Sequence, residues 1–368
     1  MGVAGCDPHR ESFTIAVVDA AGVEVTTGSW PSTPSGFDDA ATMLRGHDID
    51  RVGVEGSGSN GRHLAAALMM AGFDVREVPP RRSAQWRQAD RRAKTDRLDA
   101  VSIARLTAAD PDLGPAKVVL DEAFAELEVV HDRRNALIDH LKRALADADR
   151  VICQLPPELL ATVPVKGRVR ARLKALAAAG VRSDDRAVAA RLAWLAELAT
   201  QIAALDREAR SIEKHMCELL AEHGSTLTDI VGVGPVMATE IVVRVGNPTR
   251  FASEAAFARW NGSAPVALSS GEGDRAPTRH RLDLGGCRAV NRVLHIVSIT
   301  QAGRDPQAIE FIARKRTEGK TAREARRAHK RRLSDVIIRH LWADHRAAAT
   351  LHAATELPVP ERLEPVAA

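Results

Sequence analysis

Short apolar runs broken by polar and glycine-containing turns occupy the first part of the chain. Val3 to Asp7, Ser12 to Asp19 and Val23 to Ser29 read as three strands, with a turn at Ala20-Ala21-Gly22, which is the pattern of a β-meander. A helix opens near Ser35, a short strand covers Val52 to Glu55, and a helix across His63 to Met70 is closed by Gly72. A strand at Val75 to Val78 and a helix carrying Thr95 to Leu106 complete the segment. Farther along, the apolar spacing turns helical and long. Phe124, Leu127, Val130, Leu137, Leu141, Leu145 and Ile152 form one stripe between Asp121 and Leu155, stopped by Pro156-Pro157. A second stripe starts from Ser183 as N-cap and runs through Leu195, Leu198, Ile202, Leu205, Ile212, Met216 and Leu219 to Gly224.

Both stripes are narrow and charged at their flanks. They suggest an antiparallel coiled-coil arm, or a helix pair meeting another subunit, and equally an ordinary helical bundle. After Gly224 the run Leu227 to Pro235 resembles a helix-hairpin-helix element, in which Gly232 and Gly234 would let backbone amides approach a phosphate. Basic helices follow from Asp305 to His345, and the tail from Glu356 onward, rich in Pro and Ala, is expected to be poorly ordered. The expected domains are residues 1–110, an α/β catalytic domain; 111–222, a helical arm; 223–345, a mostly α C-terminal domain; and 346–368, a tail.

Composition sharpens this picture. With 368 residues, 45% hydrophobic and 27% charged, the chain is long and apolar enough for two or three folded domains. No run approaches the roughly 20 apolar residues of a membrane span, and no secretory leader pattern is visible, so a cytoplasmic protein without a membrane partner is expected. The four cysteines have no paired spacing, which argues against a zinc knuckle or a disulfide framework. The net charge of +4 hides clustering, because Lys and Arg far outnumber acids between Phe311 and His345, as suits a polyanion partner. Arg76 to Arg97, which includes Arg87, Arg91, Arg92 and Lys94 around Trp86, offers a second path for DNA or RNA. Tyrosine is absent, which excludes every tyrosine-nucleophile recombinase, nickase and topoisomerase.

The order of three strands, helix, strand, helix, strand, helix is that of a ribonuclease-H-like α/β domain. In that order Asp7 ends the first strand and Glu55 ends one expected beside it, while Asp96 and Asp99 leave one face of a helix. Four such carboxylates repel one another unless a cation neutralises them, and oxygen ligands favour Mg²⁺ or Mn²⁺. Two ions roughly 3.5 to 4 Å apart would suit phosphodiester chemistry. Structural roles compete, with Asp96 and Asp99 pairing to Arg97, Arg92 or Lys94. An actin-like sugar kinase is disfavoured, since Pro8-His9-Arg10-Glu11 after the first acid has no glycine to cradle phosphate.

Lys94-Thr95-Asp96-Arg97-Leu98-Asp99-Ala100, Gly5-Cys6-Asp7 and Val54-Glu55-Gly56-Ser57-Gly58 resemble the motifs of the DEDD transposases of bacterial insertion sequences. Those are bridge-RNA-guided serine recombinases with a RuvC-like domain. Gly232-Val233-Gly234-Pro235, Phe257 to Pro265 and Ser269-Ser270-Gly271 resemble their C-terminal pattern, so the resemblance covers nearly the whole chain. It differs at Pro8 and in the acidic loop Glu272 to Pro277. The resemblance implies a serine nucleophile at Ser270, with Ser269 the neighbouring candidate, acting with Asp7, Glu55, Asp96 and Asp99. It also implies double-stranded DNA at element ends and target, a structured guide RNA, and a homo-oligomer, dimer or tetramer. Arg279, His280, Arg281, Arg288 and Arg292 follow the serine and could hold phosphates. Two other functions fit the residues: a RuvC-type Holliday-junction endonuclease using water instead of serine, and a non-catalytic nucleic-acid-binding protein.

Overall fold

The structure is a computed structural model and describes residues 2–80, 82–83, 95–111, 113–118, 121–161, 163–164, 168–267, 280–281 and 286–355. It divides into two compact units, one formed by Met1–Asp121, Gly224–Val233 and Glu240–Ala368, the other by Glu122–His223 and Gly234–Thr239.

In the first unit, strands β1 (Gly2–Pro8), β2 (Ser12–Val18), β3 (Glu24–Pro31), β4 (Ile49–Glu55) and β5 (Val75–Val78) form one sheet in the order β3-β2-β1-β4-β5. The three meander strands are antiparallel, and β1, β4 and β5 are parallel. Period-two alternation sorts the side chains between faces. Ala4, Cys6, Phe13, Ile15, Val52 and Val54 pack with Ala40, Leu44, Leu64 and Leu68 of helices α1 (Pro34–Arg45) and α2 (Arg62–Met70). On the other face lies α3 (Asp96–Ala109), whose Ala100, Val101 and Ala104 meet Ala16 and Val18. Glycine lets α3 come close. A Cβ on Gly5 would stand 2.1 Å from the Ala104 nitrogen, and one on Gly53 would stand 1.9 Å from Thr107 Oγ1. The fold expected from the strand and helix order is therefore present as a mixed α/β sheet.

The C-terminal part of this unit is helical. Its elements are α9 (Glu254–Trp260), α10 (Arg288–Arg304), α11 (Pro306–Thr317) and α12 (Ala322–Thr355), with the short antiparallel pair β6 (Val266–Ala267) and β7 (His280–Arg281). Phe251, Phe257 and Trp260 cluster with ring centroids 5.1 to 5.6 Å apart. Residues 113–118 join the two parts. Glu77 N donates to Gly114 O and Ala116 N to Val75 O along β5. A Cβ on Gly246 would stand 2.4 Å from Lys117 O. Behind this contact Glu77 is half-buried near the cations of Arg250 and Lys117. It accepts from Ser57 N at 3.1 Å and from the Ser57 hydroxyl.

The second unit is built on α4 (Glu122–Ile152) and α7 (Arg186–Glu222), with the short α5 (Pro157–Leu160) and α6 (Val169–Ala179). Ion pairs Glu126–His215, Arg133–Glu208 and Arg134–Glu213 show that α4 and α7 run antiparallel. Leu141, Ala148 and Ile152 pack with Leu173, Leu195, Leu198 and Ile202 in their core. Three details differ from the sequence reading. Asp185, not Ser183, caps α7, accepting from Ala187 N and Val188 N at 2.8 and 2.9 Å, because its carboxylate reaches both free amides. Helix α6, ended by Gly180 at φ 57°, has only Leu173 and Leu176 buried, too few apolar positions to stand out as a stripe. The alanine-rich α7 is also long and apolar enough to cross a membrane by length and composition. It is followed by the 3₁₀ turn Leu227–Asp229 and by α8 (Pro235–Val245).

Candidate metal centre

Parity places the first two acids. Gly5 and Asp7 on β1, and Gly53 and Glu55 on β4, all point toward the α3 face, since Ala4, Cys6, Val52 and Val54 point the other way. The parallel register pairs Gly5 with Gly53 and Cys6 with Val54, so Asp7 and Glu55 lie one step beyond on neighbouring strands. Thr95 caps α3 by accepting from Leu98 N at 3.3 Å, fixing the first turn, from which Asp96 and Asp99 project. The glycine-permitted approach of α3 then brings this turn to the strand ends.

The result is a cluster of carboxylates at the edge of the sheet. Asp7 is 6% exposed and Asp99 2%, whereas the Asp96 side chain is open to solvent. Burial, with Asp99, Glu55 and Asp96 adding their repulsion, pushes the Asp7 carboxyl up to about 6, against the pull of His9. All four acids thus lie within electrostatic reach of one site. Glu55 accepts from Ser83 Oγ at 2.9 Å. Arg97 does not screen Asp96, because its guanidinium bonds both carboxylate oxygens of Glu24 at 2.8 and 2.9 Å.

His9 joins the acids, and no sequence signal selected it. The chain turns directly after β1, where His9 N donates to Ser12 O at 2.8 Å, and the imidazole folds back over the strand end. His9 Nε2 stands 3.4 Å from Asp7 Oδ2 and 3.3 Å from Asp96 Oδ1. One ligand atom each from Asp7, His9 and Asp96 falls within 4.8 Å of the others. Asp7 Oδ2 and His9 Nε2 are buried atoms without a hydrogen-bond partner, the condition of ligand atoms facing a cation. The position two residues after Asp7, in the turn that leaves β1, was the available hint. These groups could hold a divalent metal ion.

The remaining expected residues are spread out. Ser269, Ser270, Arg279, Arg87, Arg91, Arg92 and Lys94 lie outside the described residues, as does Trp86. Strands β6 and β7, paired Val266 to Arg281 and Ala267 to His280, bracket the serine segment in sequence. Gly232 sits at φ 86°, where a side chain would be strained and would meet Thr300, whereas Gly234 has open space around it. Arg288 is exposed at the first turn of α10.

Two family models match the chain: one described as Transposase, of the IS110 DEDD type, over residues 4–156, and one described as Transposase IS116/IS110/IS902 family over residues 224–313. The 43.6 kDa protein of insertion element IS110 from Streptomyces coelicolor is 32% identical over 133 residues, 35% of this chain and 31% of that relative. The 42 kDa protein of insertion element IS900 from Mycobacterium paratuberculosis is 30% identical over 165 residues, 44% of this chain and 39% of that relative. The chain thus spans less than half the length of the curated relatives it matches. Thermus thermophilus RuvC, solved in complex with a Holliday junction substrate, is 16% identical and aligns over 31% of this chain and 99% of its own, with a TM-score of 0.26.

Proposed function

Since the chain belongs to the IS116/IS110/IS902 transposase family, we propose that it cleaves and rejoins double-stranded DNA to move a mobile element. The observation that carries this reading is the convergence of Asp7, Glu55, Asp96 and Asp99, with His9 among them, at one sheet edge. Four carboxylates and two buried ligand atoms without a hydrogen bond suit Mg²⁺ or Mn²⁺ held by Asp7, Glu55, Asp96 and Asp99, with His9 adding a nitrogen. Such ions supply charge neutralisation for a phosphodiester and lower the pKa of a bound hydroxyl.

Ser270 is the proposed nucleophile. Its Oγ forms the bond to phosphorus, the bond to the 3′-oxygen breaks, and the serine proton ends on that departing oxygen. The 5′-phosphoserine link keeps the bond energy, so the reverse attack rejoins DNA without ATP. A structured guide RNA and a homo-oligomer complete the proposal, both drawn from the resemblance.

Strand cleavage in Mg²⁺ or Mn²⁺ tests the site. Asp7→Asn, Glu55→Gln, Asp96→Asn and Asp99→Asn should each fall to background while DNA binding persists. Ser270→Ala should lose the covalent protein–DNA species on denaturing gels. Normal strand transfer by Ser270→Ala would instead assign the nucleophile elsewhere, and cleavage without any covalent species would point to junction resolution by water.

A further inference from the structure

Helices α10 and α12 enclose a cavity of about 630 Å³ whose walls are almost wholly basic. That volume lies within the ~300 to 1,000 Å³ typical of ligand clefts. On α10, Arg288, Arg292 and His295 recur at helical spacing and so share one face. On α12, Arg323, Arg326 and Lys330 do the same from the opposite wall. Among the described residues no carboxylate lies within ion-pair distance of Arg288, Arg292, Arg323, Arg326 or Lys330. Arg327, which also lines the cleft, has Glu324 4.0 Å away, and farther along α12 Arg331 and Arg339 are paired with Asp335 and Glu254.

The floor is built, not incidental. Lys330 is only 7% exposed, and its Nζ donates to Asn291 Oδ1 at 2.7 Å. Asn291 in turn donates to the carbonyl of Asn261 at 2.7 Å, and the fully buried Asn261 donates to Ser334 Oγ at 2.8 Å. A chain of amides thus holds an ammonium group at the base of the cleft, with no carboxylate among the described residues beside it. A buried cation in that position is costly unless an anion joins it. Burial accordingly lowers the Lys330 pKa. The first turn of α10 opens on the same space, and its N-cap Cys287 offers no side-chain acceptor, so the free amides add positive potential.

We propose that this cleft is a phosphate-binding site that seats the phosphodiester backbone of a nucleic acid, Lys330 meeting one phosphate at the floor and the arginines gripping its neighbours. The wall chemistry favours this over an acidic protein partner. Among the described residues no apolar or aromatic side chain lines the cleft, whereas a protein interface needs an apolar centre. Arginine forks and an ammonium match phosphate oxygens without reading bases. The proposal rests on reading the chain as a nucleic-acid enzyme. It adds a contact surface separate from the carboxylate cluster.

The full-length chain would be tested by fluorescence anisotropy with a short duplex DNA, a single-stranded DNA and an RNA hairpin, each over a series of salt concentrations. Arg292→Ala and Arg326→Ala alter exposed side chains and should leave circular dichroism unchanged. Each should weaken binding about tenfold and lower the slope of log affinity against log salt by about one. Arg210→Ala, an exposed arginine on α7, should do neither. The probe that loses most affinity identifies whether DNA or RNA occupies the cleft. Unchanged affinity and slope in both cleft variants would overturn the site while leaving the carboxylate-dependent activity standing. Equal losses in Arg210→Ala, or polyglutamate bound as tightly as nucleic acid and weakened by the same variants, would overturn it as well. A wild-type chain that binds no nucleic acid would overturn both this proposal and the function it rests on.

Discussion

Gly5 and Gly53 touch no substrate, yet they decide where the carboxylates stand. Each lies one alternation before an acid, and each leaves room for the α3 backbone or side chains that a Cβ would strike. Gly5→Ala should therefore cost about 1 to 3 kcal/mol through overpacking against Ala104, measured as a lowered denaturant midpoint. The positions of the acids were legible, because Asp7 and Glu55 close short apolar strands and Asp96 and Asp99 share a helical face. His9 was not, since its place depends on how tightly the chain turns between Pro8 and Ser12. Ser83, which holds Glu55, was hidden for the same reason: its contact spans 28 residues of sequence.

At the level of elements, strands and helices with strong punctuation were readable. The meander, the α3 start at Thr95 and the two long helices follow from turn residues, caps and apolar spacing. Helix α6 was not, because an alanine-rich segment with two buried leucines carries almost no periodic contrast. Ser183 and Asp185 are both good caps two residues apart, and the folded backbone brings the Asp185 carboxylate to Ala187 and Val188. Thr95 is the cap with functional reach, since it anchors the turn that bears Asp96 and Asp99. Thr95→Ala should lower stability by about 1 kcal/mol, read from the denaturation midpoint.

For the whole molecule, the first and last parts of the chain share one compact unit. No local pattern announces that Gly246 and Gly114 bring the basic C-terminal part against β5. The half-buried Glu77 sits behind this contact. Its carboxyl is pushed up to about 7, chiefly by burial, with the cations of Arg250 and Lys117 pulling the other way. A carboxyl whose pKa is raised in the folded chain binds its proton more tightly there than when unfolded. Its contribution is therefore complete below its ordinary value of 4.5 and is lost as pH rises through about 7. Unfolding free energy should decline across that window by up to about 3 kcal/mol. Glu77→Gln should flatten the decline, which chemical denaturation at a series of pH values would show.

The buried Asp7 oxygen that makes no hydrogen bond has a counterpart in how the protein withstands heat. A carboxylate pressed against three others and sealed from water works against the fold that assembles it. Asp7→Asn should consequently melt at a higher temperature than the wild type in chelator, although it is inactive. Added Mg²⁺ should raise the wild-type melting point, by about 2.7 kcal/mol of stability at a hundred times its dissociation constant, and leave the variant nearly unmoved. The chain would then be sturdiest only when equipped to cut, its durability set by the ionic makeup of its surroundings as much as by its own packing.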